Sequence, residues 1–249
     1  MSTNTVKGPV GPSAQPSSGR ARRFSPDAAS LQLWLMMALT FVTGVVDAVG
    51  YLGLDKVFTG NMTGNIVILA MGLVGGTGLP VAGPLLALFA FAGGALLAGL
   101  LLRGTPDGWS RRTTALLAAG AVVLAGIAAA VPLAGGHPKG PFAVALAALI
   151  AAQMGSQACI ARKVGVKDMT TVVVTSTLTS LAGESFLGAG EGRFFHRLWN
   201  RRAGAIAAIL AGAAAGALLM QAHMSIAIAL GAALTAAVAV LGHRTRHSR

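Results

Sequence analysis

The chain has 249 residues, of which 54% are hydrophobic and only 10% charged, where a soluble domain carries about 25% charged residues. With a mean hydropathy of +0.71 and a single cysteine, Cys159, it is neither a soluble enzyme, nor a disordered chain, nor a disulfide scaffold. The net charge of +12 flanks apolar runs and lines no single polar face, which excludes nucleic-acid binding and is the pattern that sets membrane topology.

Residues 1–30 are polar and rich in Pro, Gly and Ser, ending in Arg20, Arg22 and Arg23. They read as a disordered cytoplasmic tail, with Ser25-Pro26-Asp27 as the start signal of the first helix. Eight apolar stretches follow: Leu31–Leu54, Val57–Val74, Leu79–Leu102, Thr113–Ala134, Pro141–Ala161, Met169–Leu187, Ala203–Ala222 and Met224–Gly242. The second carries Thr59-Gly60-Asn61-Met62-Thr63-Gly64-Asn65, and the sixth is rich in Thr and Ser. A basic tail, 244–249, closes the chain.

If all eight stretches cross, the basic residues divide rather evenly between the two faces. If the second and sixth enter and return on one side, every Lys and Arg except Lys56 and Lys139 falls on the face of the N-terminus. The positive-inside rule selects this second arrangement. Polar, Gly-rich backbone at membrane depth is tolerated where it is buried in protein or lines a wet cavity. The expected fold is therefore all-α and polytopic: six transmembrane helices plus two re-entrant or broken segments, with both termini cytoplasmic.

A repeat accompanies this count. Gly44-Val45-Val46-Asp47-Ala48 near the end of stretch one is echoed by Gly155-Ser156-Gln157-Ala158 in stretch five. Thr59 pairs with Thr171, Thr63 with Thr175, and Asp47 with Gln157 after a register shift. Residues 31–134 and 135–243 then form two membrane repeats of three crossings each. An odd number of crossings inverts one repeat against the other, an architecture common among secondary transporters. Gly faces such as Gly93-Gly94…Gly99 and Gly204…Gly212…Gly216 suit close helix packing in lipid. Trp34, Trp109 and Trp199 fall at inner boundaries as interface anchors, beside the basic segment 194–202.

The strings Gly44-Val45-Val46-Asp47-Ala48-Val49-Gly50-Tyr51 and Val57-Phe58-Thr59-Gly60-Asn61-Met62-Thr63-Gly64-Asn65 resemble the signature of the YoaK-like family. Gln157-Ala158 and Thr170–Thr179 look like that family's second stretch, with Thr175-Ser176-Thr177 departing from its pattern. The resemblance implies a multi-span protein of the bacterial inner (plasma) membrane and brings no established activity.

An ionisable group inside a span is costly and usually faces a cavity or the bundle interior, so Asp47 is read as a coupling or gating group. The Thr59–Asn65 string combines flexible backbone with short hydrogen-bonding side chains. If an extended segment descends and a helix returns, the helix N-terminus faces the midplane and favours an anion. Asp47 pulls the other way. Thr59, Asn61, Thr63 and Asn65 are the expected substrate ligands from one half, with Gln157, Thr171 and Thr175 from the other. Gln153 and Gln157 share a helical face. Glu184 is read as solvated or paired at the inner interface, and Cys159 as packing. The five histidines show no metal-site spacing with Cys or carboxylate, and no nucleophile elbow, phosphate loop or acid pair is present. Neither a cofactor nor an enzyme is expected. The expected function is a secondary transporter or permease for a small polar solute or ion, an anion by slight preference. The rivals are a channel with the same site and a membrane scaffold or assembly factor. The expected partners are the lipid bilayer, the solute and a second copy in a homodimer.

Overall fold

The computed structural model describes residues 26–75, 78–165 and 192–247, with side chains over 30–75, 78–165 and 203–244. The described residues form seven α-helices: α1 (Pro26–Gly53), α2 (Met62–Leu73), α3 (Ala82–Leu101), α4 (Arg111–Leu133), α5 (Gly140–Val164), α6 (Gly192–Ala222) and α7 (Met224–His247). Six are long and apolar enough to cross a membrane, and α2 is not. Its 12 residues reach about 18 Å at 1.5 Å per residue, well short of a hydrocarbon core of about 30 Å. Helix α1 begins at Pro26, where the missing N–H costs the helix nothing.

The core has two tiers. In the lower one, Leu35, Met36 and Leu39 of α1 meet Leu117 of α4, Ile160 and Val164 of α5, and Val238 of α7. Leu102, just after α3, joins them, and Ala205 of α6 packs alongside. In the upper tier, Val42–Val49 of α1 meet Ala87 of α3, Leu124–Val131 of α4, Ala143–Met154 of α5 and Ala227–Ile228 of α7, with Leu219 of α6 alongside. So α1, α4 and α6 run upward, and α3, α5 and α7 run downward. Helix α1 ends, and α3 begins, at the upper end. Helix α5 ends, and α6 passes its first core residue, at the lower end. Lys56 and Lys139 flank the upper tier, while Arg103, Arg111, Arg112, Arg162, Lys163 and Arg244 flank the lower one. The sixth apolar stretch of the sequence, with Thr171, Thr175 and Glu184, lies outside the described residues.

Helices α1 and α5 are the most buried spans, and α3 and α6 the least. Each inner helix is held against one outer helix by reciprocal glycines. A Cβ on Gly44 of α1 would overlap Ile209 O of α6, and one on Gly212 would overlap Phe41 O. In the other pair, a Cβ on Gly155 of α5 would overlap Phe91 O of α3, and one on Gly94 would overlap Ala152 O. In all four cases the carbonyl struck lies three residues before the partner glycine. Backbone thus meets backbone in the small-residue manner of lipid-embedded helices. The expected glycine faces hold at Gly94, Gly212 and Gly216, whereas Gly93 has nothing within 4 Å.

Trp109 corrects another expectation. It is buried, its Nε1 donates to Thr114 Oγ1 at 2.9 Å, and Gly242 of α7 lies against its ring. The indole packs inside the bundle among Leu35, Leu117 and Val238 of the lower tier. Trp34 is 68% exposed, as an interface residue should be.

Candidate functional site

The polar string folds back into the bundle beside α1. The α1 helix ends where Leu54 N and Val57 N both donate to Gly50 O, with Asp55 and Lys56 in the left-handed region at φ 62° and 54°. From Val57 to Asn61 the chain is non-helical, with a bend at Thr59 and Gly60. Around Gly60, a Cβ position would lie 2.8 Å from Thr43 Cγ2 and 3.5 Å from both Asp47 Oδ1 and Met154 Cε. Thr43 and Met154 are near the middle of the spans Ser30–Gly53 and Gly140–Val164. The segment therefore lies level with the middle of α1 and α5, and α2 starts there and runs back to Leu73, near the start of α3. Val57 and Asp55 at its entry lie beside Gly83 at the start of α3.

Non-helical backbone buried among apolar helices must find hydrogen-bond partners, and three side chains supply them. Asp47 Oδ1 accepts from Thr59 N at 2.9 Å, Gly60 N at 2.6 Å and Thr59 Oγ1 at 3.3 Å. Asn65 binds Phe58 twice: its Nδ2 donates to Phe58 O at 2.6 Å, and its Oδ1 accepts from Phe58 N at 2.9 Å. Asn61 caps α2, its Oδ1 accepting from Gly64 N at 3.2 Å. Met62 and Thr63, the first residues of α2, have no carbonyl within the helix to donate to. Asn65→Leu removes both bonds to Phe58 at similar volume. The expected loss is about 2–4 kcal/mol of stability, read as a lower Tm in detergent. An unchanged Tm would mean that the Phe58 backbone is wet.

Beside this hairpin lies a cavity of about 720 Å³. Its walls include Thr43, Asp47, Asn61 and Thr63, with Tyr51 and Phe58 stacked at 4.9 Å on one side. The expected site residues separate here. Asp47, Asn61 and Thr63 line the cavity. Thr59 and Asn65 are fully buried and form no part of its wall. Gln157 is buried too; its Nε2 donates to Leu39 O at 3.2 Å and to Thr43 Oγ1 at 3.3 Å, so it touches the site only through Thr43. Gln153 packs on Gly120 of α4. Reading the sequence alone missed Tyr51, Phe58, Phe91, Ile209 and Arg162 as wall residues. Arg162 had a signal, a charge within a span, which the count of flanking cations absorbed. Among the described residues no cluster of His, Cys, Asp or Glu of metal-binding size occurs.

Six helices long and apolar enough to cross a membrane define a multi-pass integral membrane protein, its outer helices in contact with the lipid bilayer. The chain belongs to the YoaK-like family whose description reads "Protein of unknown function (DUF1275)", which matches residues 35–241. It is similar to the UPF0700 transmembrane protein YoaK of Bacillus subtilis (strain 168), with 34% identity over 155 residues, 62% of this chain and 67% of that protein. No solved structure matches it.

Proposed function

We propose that this protein is a secondary transporter or permease for a small polar solute or ion, an anion by preference, bound at mid-depth beside the α2 hairpin. The cavity walled by Asp47, Asn61 and Thr63 in the middle of the spans carries this reading. Polar groups that only glue helices together are expected to be dry and mutually paired. Thr59 and Asn65 fit that description, but Asn61 and Thr63 are exposed, and α2 turns its open N-terminus toward mid-depth, where it favours negative charge. The three donors on Asp47 Oδ1 spread its charge and soften the repulsion of an anion.

The hairpin acts as the first re-entrant segment of an inverted 3+3 repeat. The reciprocal glycine pairs, the antiparallel course of α1 and α5, and the matched burial of α3 and α6 support that arrangement. The repeat gives the molecule two similar arms that can rock about a fixed site. The basic lower end sits in the cytoplasm of a bacterial cell with the plasma membrane around the bundle, in keeping with the positive-inside rule. A homodimer thickens the thin wall of six spans. No enzymatic step belongs to this reading. A scaffold is the second reading, favoured by how completely Asp47, Thr59 and Asn65 serve their own hairpin.

Thiol labelling separates the two. In a Cys159→Ser background, Asn61→Cys and Thr63→Cys are expected to react with a membrane-impermeant maleimide, and Asn65→Cys is not. Uptake of a panel of small anions into proteoliposomes, saturable and gradient-coupled, then distinguishes carrier from channel. If Asn61→Cys and Thr63→Cys stay unlabelled from both faces, the hairpin is dry and the scaffold reading replaces transport.

A further inference from the structure

Arg162 is in the last turn of α5 and shares the cavity wall with Asp47, Asn61 and Thr63. Its neighbour Lys163 is the one with an ion-pair partner, Asp107 at 3.0 Å. Successive helical residues point about 100° apart, so Lys163 turns to the loop after α3 while Arg162 turns to the cavity. Among the described residues Arg162 has no carboxylate partner. A cation in the last turn complements the helix dipole and orients the protein in the bilayer, and Lys163 already does both. Neither role explains a guanidinium on the wall of the cavity. Met154 lies beside Gly60 at mid-depth, and Arg162 is about two turns lower, or roughly 12 Å along α5. A solute entering from the basic end meets Arg162 before it meets the hairpin.

We propose that Arg162 is the specificity-determining residue of this cavity and selects oxyanions, reading a carboxylate or phosphate group of the solute. This deepens the transport reading above and rests on it. The guanidinium is planar, stays charged and presents paired N–H donors that match two oxygens of such a group. A halide offers no pair of oxygens and gains only the charge.

The test needs no knowledge of the natural solute. The full chain, in membrane vesicles, carries Cys159→Ser and Thr63→Cys, and is labelled with methanethiosulfonates of negative, positive and no charge. A unit charge roughly 10 Å away at an effective dielectric of about 20 changes local ion concentration about tenfold. The ratio of anionic to cationic labelling should therefore fall at least about tenfold in Arg162→Gln and hold within about twofold in Arg162→Lys. Inorganic phosphate and acetate should slow labelling of the parent more than chloride does, and Arg162→Lys should lose part of that advantage. This second comparison decides the matter if Arg162→Gln fails to fold. Equal labelling by the neutral reagent with an unchanged charge ratio, or equal protection by chloride and phosphate, overturns the role of Arg162 and leaves the site standing. No labelling of Thr63→Cys by the neutral reagent from either face closes the cavity, and both readings fall.

Discussion

Gly94→Ala and Gly155→Ala should each strongly destabilise the protein, while Gly93→Ala should not. The added methyl at Gly94 meets Ala152 O, and at Gly155 it meets Phe91 O. These are backbone atoms and have no rotamer to turn aside. Helices α3 and α5 must separate along their whole crossing, and contacts on both sides of the glycines loosen together. Overpacking of this kind costs about 1–3 kcal/mol and sometimes more. At roughly 2–4 °C per kcal/mol for a chain of this size, a drop of several degrees in detergent Tm is expected. Gly44→Ala and Gly212→Ala should behave alike, since the same crossing recurs between α1 and α6. Gly93 and Gly126 have nothing within 4 Å, so alanine there gains helix propensity at no steric cost. Thermal melts of the six variants decide it. Equal losses at Gly93 and Gly94 would show that the crossing is looser than described.

The second large effect is expected at Asp47, where Asp47→Ala and Asp47→Asn should diverge. Alanine strands the N–H groups of Thr59 and Gly60 at mid-depth. Each unsatisfied buried donor costs about 1–3 kcal/mol, so the expected loss is roughly 2–6 kcal/mol and the hairpin leaves its seat. Asparagine keeps an acceptor oxygen where Asp47 Oδ1 stands and should retain most of the stability. A Thr63→Cys reporter should be labelled at a changed rate in Asp47→Ala and at the parental rate, for a neutral reagent, in Asp47→Asn. If Asp47→Asn transports like the parent, the carboxylate is a structural peg and its charge takes no part in coupling. If both variants melt alike, the hairpin is not held by Asp47.

Much of this architecture was legible in the chain itself. The uneven placement of Lys and Arg around stretches two and six pointed to six crossings, and six helices of the described structure are long enough to make them. The Thr59–Asn65 string announced irregular backbone, and a bend at Thr59–Gly60 leading into a short helix is what its Gly and Asn residues permit. What the string did not disclose was which way each side chain turns. Thr59 and Asn65 look like their neighbours Asn61 and Thr63 in composition, yet one pair is consumed by the hairpin and the other faces the cavity. That division depends on where Asp47 and Phe58 sit in space, which no spacing rule contains. Arg162 stayed hidden for a related reason. Its contact with the site exists because α5 runs antiparallel to α1, and a count of loop charges has no use for that. Trp109 escaped notice because whether an indole at a span boundary faces lipid or the bundle depends on its packing partners, here Gly242 of α7, and not on its place in the sequence.

The amide of Asn65 does for Phe58 what an adjacent strand does in a sheet: it occupies both hydrogen-bonding groups of one peptide position. The hairpin thus carries a built-in ruler. The distance along the chain from Phe58 to Asn65 is fixed by a single side chain that must reach back across the turn. Lengthening or shortening that interval by one residue would rotate Asn65 away and free the segment that precedes α2. The fold of the hairpin is therefore set by the spacing of two residues along the chain.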